Sequence, residues 1–271
     1  MVRFNSYISI AKSLLISVKH LELSSSRKLD FIIIGAQKSG TTALDSYLRF
    51  HPEIGLPKYK ELHFFNNKRL FRLPALVREI HYHRFFPDFK HPDKRLGEAT
   101  PNYMVESLFI DRIHAYNPAL KLIVILRDPV SRAYSHWNMQ RDRGIEHRTF
   151  EDAIRENVNE MKKKTFTDQR FNYLQRGEYA KQLEYISRLF PREQVLVLFQ
   201  KNLLNSPIET MNRITHFLGV SPFKRISAMD VHSRAYLEPM SASLKQELKA
   251  YYLPHIEDLE RFLVTDLSHW K

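Results

Sequence analysis

Continuous apolar, β-branched runs alternate along this chain with segments whose apolar residues recur every three to four positions, which predicts strands separated by helices. The runs at 30–35, 121–126 and 194–199 have no polar face, as expected of strands covered on both sides of a parallel sheet. Leu96-Gly97-Glu98 reads as a shorter strand ending at Thr100-Pro101. Helical spacing marks 41–50, stopped before His51-Pro52, then 106–116, a helix starting near Val130, and 151–159, 178–190 and 206–218, the last capped by Gly219. From Ser241 the C-terminus is helical, with an expected break at Pro254 between two amphipathic pieces. The segment 58–89 is polar and aromatic, helical in parts, with no clear period. Alternating strands and helices imply an α/β fold: a central parallel sheet flanked by helices on both faces, binding ligands at the carboxyl ends of its strands.

Length and composition narrow this only slightly. A chain of 271 residues, 43% hydrophobic and 27% charged, suits one globular domain. That domain is expected over 29–271, after an N-terminal extension at 1–28. Ile8, Ala11, Leu15 and Val18 give the extension an amphipathic helical pattern, but Lys12 interrupts it well short of the roughly 20 apolar residues a membrane span needs. No transmembrane segment is expected. A cytoplasmic location is expected, with peripheral contact to a membrane surface through the helix kept open. The net charge of +12 favours an anionic partner. With no cysteine there is no thiolate metal site or thiol nucleophile.

Candidate chemistry sits in two clusters. Gly35-Ala36-Gln37-Lys38-Ser39-Gly40-Thr41-Thr42 follows the first strand and opens the first helix, so backbone N–H groups and the helix dipole converge on one anion site. Gly35 and Gly40 have the spacing of a phosphate-binding P-loop, G-x-x-x-x-G-K-[ST], yet Thr41 stands where lysine belongs and the lysine lies inside the loop, at Lys38. The sheet is thus P-loop-like without an NTPase's lysine. The second cluster, Arg127-Asp128-Pro129-Val130-Ser131-Arg132-Ala133-Tyr134-Ser135-His136, places a guanidinium at a strand's carboxyl end and a hydroxyl two turns into the next helix. Arginine's fork matches phosphate oxygens. Asp128 has the alternative of a plain N-cap, and Arg132 of a surface charge or a loop brace.

Together the clusters resemble the sulfotransferases that use 3′-phosphoadenosine 5′-phosphosulfate (PAPS). Their 5′-phosphosulfate loop is similar to Gln37–Thr42 and their 3′-phosphate motif to Arg127-Asp128-Pro129-x-x-Arg132-x-x-Ser135. Within that superfamily the chain resembles the heparan-sulfate type, the N-sulfotransferases and glucosaminyl 3-O-sulfotransferases, also at Glu61-Leu62-His63-Phe64-Phe65, Glu98-Ala99-Thr100-Pro101-Asn102-Tyr103 and Gly177-Glu178-Tyr179-Ala180. The resemblance implies an enzyme moving a sulfuryl group in line to a hydroxyl or amine of a carbohydrate. Glu98 would be the base and Lys38 would stabilise the leaving phosphate. Lys38, Ser39, Gly40, Thr41, Thr42, Arg127, Ser135 and Arg234 would bind the donor, with Lys60 and His63 at the acceptor. No metal and no nucleic-acid partner are implied. The chain departs from the N-sulfotransferase pattern at Met139, where that family has histidine, and at His232-Ser233-Arg234, which keeps only the arginine of a Lys-Gly-Arg loop. The acceptor, O- against N-sulfation and oligomeric state stay open. So do two other classes: a P-loop nucleotide or small-molecule kinase, and a non-catalytic polyanion binder with steep salt dependence. His63 reads equally as an acceptor contact or a packed histidine, and His136 and His232 as structural or surface histidines.

Overall fold

The computed structural model describes residues 27–163, 168–226 and 239–271. The extension at 1–26 and the His232-Ser233-Arg234 stretch lie outside the described residues. Five parallel strands form one sheet in the order β2-β3-β1-β4-β5: β1 Phe31–Gly35, β2 Ile54–Gly55, β3 Arg95–Ala99, β4 Lys121–Leu126 and β5 Val195–Phe199. Side chains alternate across these strands, so each face has its own core.

On one face Phe31, Ile33, Ile123, Ile125 and Leu198 pack under α1 (Thr41–Leu48) and α8 (Pro207–Leu218) through Leu44, Leu48, Met211 and Ile214. The opposite, larger layer packs Ile32, Ile34, Leu96, Leu122 and Val124 against five helices. These are α2 (Ala75–His83), α3 (Ser107–Tyr116), α4 (Pro129–Asp142), α6 (Tyr179–Ser187) and α9 (Ala242–Leu263). Helix α5 (Phe150–Lys163) adds Phe150, Ala153 and Ile154, and α7 (Gln200–Asn205) follows β5 directly.

Two sequence expectations change, and two short elements were not expected. Helix α9 runs unbroken through Pro254. Leu244, Leu248, Tyr252, Ile256, Leu259 and Leu263 make one continuous buried stripe across the proline, while Pro254 and Ala250 face solvent. The carbonyl that loses its helical partner can therefore bond water, and packing holds the helix together. Strand β5 is an edge strand, half-buried apart from Leu198, rather than covered on both faces. Strand β2 has two residues and α7 six, both too short to show a period.

The chain leaves β1 toward β2 on one side of the sheet and leaves β4 toward β5 on the other. A crevice therefore opens between the carboxyl ends of β1 and β4, where ligands bind in such folds.

Candidate active site

The loop after β1 lies in that crevice. Ala36 N–H donates to Ile125 O at 2.9 Å, fastening the loop to β4. Gly40 has φ 108°, a conformation open to glycine, and Lys38 has φ 69°. These two left-handed residues turn the chain onto the start of α1, which has no side-chain cap, so its first N–H groups stay available to an anion. Ser39 and Thr41 are buried, Lys38 is half-buried and Thr42 exposed.

Arg127 stands at the end of β4, and its Nη1 donates to the Lys38 carbonyl at 3.3 Å, so clusters 89 residues apart meet. Asp128 is the N-cap of α4, accepting from Ser131 N–H at 2.7 Å. Ser135 is buried on the same helix. The Tyr179 hydroxyl donates to Arg127 O at 2.9 Å and lies beside the Ser39 hydroxyl, stapling the two clusters together. Burial pushes that phenol up to about 12, which keeps it a donor. Arg132 is fully buried and donates to Tyr173 O, a brace rather than a surface charge. His136 is also fully buried; burial, then Arg176, Arg132 and Lys38, hold it well below the ordinary histidine range and neutral.

Glu98 points from β3 into the larger layer and is completely buried. Its partners are hydroxyls. Tyr82 donates to Oε1 at 2.5 Å, Tyr103 to Oε1 at 3.1 Å, and Thr100 to Oε2 at 2.6 Å. Burial raises the carboxyl above its ordinary value, while the three hydroxyls and His63 pull it part of the way back. Tyr82 and Tyr103 are pushed far up by burial and by Glu98, so both remain donors.

The rim lies over the end of β3, where Glu61 N–H donates to Ala99 O at 3.1 Å. Lys60 Nζ lies 2.8 Å from Glu61 Oε1 and 3.5 Å from Thr41 Oγ1, and His63 Nε2 lies 3.6 Å from Glu61 Oε2. His63 is half-exposed, so it is not a packed core histidine. Burial opposes ionisation of Glu61, but His63 and Lys60 outweigh it and hold the carboxyl down at about 2. Of four non-glycine residues with left-handed backbone among those described, Lys38, Glu61 and His63 belong to this site. Such conformations cost ~1–3 kcal/mol each and collect where function requires them.

Tyr82 escaped sequence reasoning because it lies in the aperiodic 58–89 segment. Tyr179, Asn102 and Glu61 stand inside stretches that carry the resemblance, but nothing in sequence tells which atoms they bond. A cavity of about 450 Å³ beside Asp30, Arg95 and Lys121 opens at the amino ends of the strands, away from this site. Among the described residues, no helix is long and apolar enough to cross a membrane.

The chain matches the sulfotransferase domain family over residues 28–257. It is 30% identical over 212 residues to the bifunctional heparan sulfate N-deacetylase/N-sulfotransferase of Drosophila melanogaster, covering 71% of this chain and 20% of that protein. It is 32% identical over 189 residues to human heparan sulfate glucosamine 3-O-sulfotransferase 3B1, covering 70% of this chain and 45% of that one. The chain thus spans less than half the length of these two relatives. The crystal structure of a sulfotransferase from Alicyclobacillus acidocaldarius superposes with a TM-score of 0.74 at 27% identity, covering 90% of this chain and 99% of that one. Sequence match, shared fold and the meeting of the two candidate clusters agree: this chain belongs to the sulfotransferase domain family.

Proposed function

We propose that this chain transfers the sulfuryl group of PAPS to a hydroxyl or amine of a carbohydrate, through residues 29–271. The observation that carries the reading is the contact of Arg127 with the Lys38 carbonyl. It brings together two cationic sites, as a nucleotide with two separate anionic ends requires. Lys38, Ser39, Gly40, Thr41 and Thr42 hold the 5′-phosphosulfate, and Arg127 and Ser135 hold the 3′-phosphate. Arg234 is assigned to the same nucleotide by sequence alone.

The acceptor oxygen or nitrogen attacks sulfur, and its bond to sulfur forms as the bond from sulfur to the bridging phosphate oxygen breaks. Products are the sulfated acceptor and 3′-phosphoadenosine 5′-phosphate. The Lys38 ammonium offsets charge developing on the leaving phosphate. Glu98 takes the acceptor's proton; among the described residues Oε2 accepts only from Thr100, which leaves it a lone pair for this. Glu98 is sealed from solvent, and Lys60 and His63 flank Glu61, which bonds the end of the same strand, so those two residues are suited to acceptor contact. The names of the relatives and the +12 charge support a carbohydrate, and an anionic one in particular. Met139 and the His232-Ser233-Arg234 stretch, which keeps only the arginine of the Lys-Gly-Arg loop, keep heparan sulfate itself from being carried over.

The test is labelled-sulfate transfer from PAPS to a panel of glycans, aminoglycans and phenols, with calorimetric binding of 3′-phosphoadenosine 5′-phosphate alongside. Lys38→Ala should abolish transfer and weaken nucleotide binding. Glu98→Gln should lower transfer about 10²–10⁴-fold and leave nucleotide binding intact. No transfer to any acceptor together with no nucleotide binding overturns the assignment.

A further inference from the structure

Arg176 lies in the short turn Gln175–Gly177 ahead of α6 and is only 5% exposed. Its Nη1 donates to Asn102 Oδ1 at 2.6 Å and to Gln37 Oε1 at 3.2 Å. Gln37 precedes Lys38 in the loop after β1, and Asn102 lies four residues beyond Glu98 in the turn after β3. One guanidinium nitrogen therefore ties together the segment beside the donor and the segment beside the base.

A guanidinium donates hydrogen bonds and cannot accept them. Both carboxamides must turn their oxygens toward Arg176, which fixes their NH2 groups on the other side. Gln37 Nε2 and Asn102 Nδ2 donate to no acceptor among the described residues, and both side chains are half-buried. The cation behind the two oxygens also polarises the amides and strengthens their N–H groups as donors.

We propose that Arg176 is a positioning residue that orients the carboxamides of Gln37 and Asn102 so that their NH2 groups bind the nonbridging oxygens of the transferring sulfuryl group. The proposal rests on the sulfuryl-transfer reading above. Those three oxygens stay on sulfur while its bond to the leaving phosphate breaks and its bond to the acceptor forms, so donors to them hold the group throughout. A sulfuryl group carries one negative charge over three oxygens, and neutral donors match it; Lys38 remains for the more highly charged phosphate.

Gln37→Glu and Asn102→Asp test this directly. Each keeps an oxygen for Arg176 and adds a carboxylate beside a buried cation, but removes the NH2 group. The expected result is an unchanged or higher thermal midpoint and a kcat about 10²-fold lower, the order lost with one oxyanion donor. Binding of 3′-phosphoadenosine 5′-phosphate, which has no sulfuryl group, should stay within about threefold, a small change against the tenfold per 1.4 kcal/mol scale. Arg176→Met should also lower kcat with nucleotide binding kept, and Arg176→Lys should recover part of the loss. A purely structural Arg176 predicts full turnover in both carboxylate variants, because their contacts to it survive. Turnover within threefold of wild type in both overturns the proposal, and these two variants decide it even if Arg176→Met fails to fold. A wild-type protein that neither transfers sulfate nor binds the nucleotide overturns the parent reading, and this inference with it.

Discussion

Gly97 and Phe31 face each other across β3 and β1, and the ring occupies the space that a side chain at 97 would need. A Cβ on Gly97 would lie 2.4 Å from Cε1 and Cζ of Phe31 and 2.5 Å from Cε2. Carbon atoms prefer contacts near 3.5–4.0 Å, so Gly97→Ala demands a shift of about 1 Å. Phe31 is fully buried in the same core cluster as Ile33, Leu44 and Tyr47, so moving its ring disturbs packed neighbours. Overpacking of this kind costs ~1–3 kcal/mol. At ~2–4 °C per kcal/mol for a chain of this size, the Tm should fall by about 2–12 °C. Function should suffer too, because Phe31 leads into the loop proposed to bind the donor and Gly97 precedes the proposed base, Glu98. Calorimetry on Gly97→Ala, Phe31→Leu and the double variant isolates the cause. Phe31→Leu alone destabilises through the cavity it leaves, yet it makes room for the methyl that Gly97→Ala adds. The double variant should therefore retain at least ~1 kcal/mol more than the sum of the two losses predicts. A Gly97→Ala protein melting within about 1 °C of wild type, or losses that add within ~0.5 kcal/mol, would refute the steric argument.

Tyr82→Phe removes a hydroxyl that stabilises the Glu98 carboxylate, so the carboxyl should rise further above its ordinary value. Since the proposed base works ionised, the acid limb of the kcat/KM profile should move to higher pH; a limb that stays or moves down contradicts the assignment. Gly40→Ala meets only ordinary contacts, 3.5 Å to Ile125 at the nearest, so its cost comes from the backbone at φ 108°. That cost is ~1–3 kcal/mol, and it should appear as weaker nucleotide binding or a lower Tm; neither changing would show that the loop tolerates a side chain there. Glu61 is held at about 2 against an ordinary 4.5, so its ion pairs stabilise the fold above the ordinary value and are lost as pH falls toward 2. Glu61→Gln should therefore show a shallower loss of Tm on acidification, and an identical slope would count against the pairing.

The elements with one unambiguous period were legible in the sequence. β1, β4 and the helices after them are long enough to show burial patterns, and Gly40 with Lys38 stands out in the sequence as a candidate anion loop. The sequence suggests a break at Pro254 because a proline's local cost is visible there, whereas the six-residue apolar stripe that outweighs it acts only when packed. The edge position of β5 was hidden for a related reason: an apolar run reports composition, and the number of its neighbours is a property of the sheet.

By itself the sequence determined the α/β class, the order of the elements and two clusters of residues suited to anionic groups. These are local matters of periodicity, capping and spacing, which neighbouring residues decide. Only the tertiary structure decided that Arg127 reaches the Lys38 carbonyl, that Glu98 sits under three hydroxyls, and that Arg176 joins Gln37 to Asn102. Each of these contacts but those from Thr100 and Tyr103 joins residues at least 16 positions apart. Sheet order and the choice of what each element packs against bring them together, and the orientation of a hydrogen-bond donor follows from that packing.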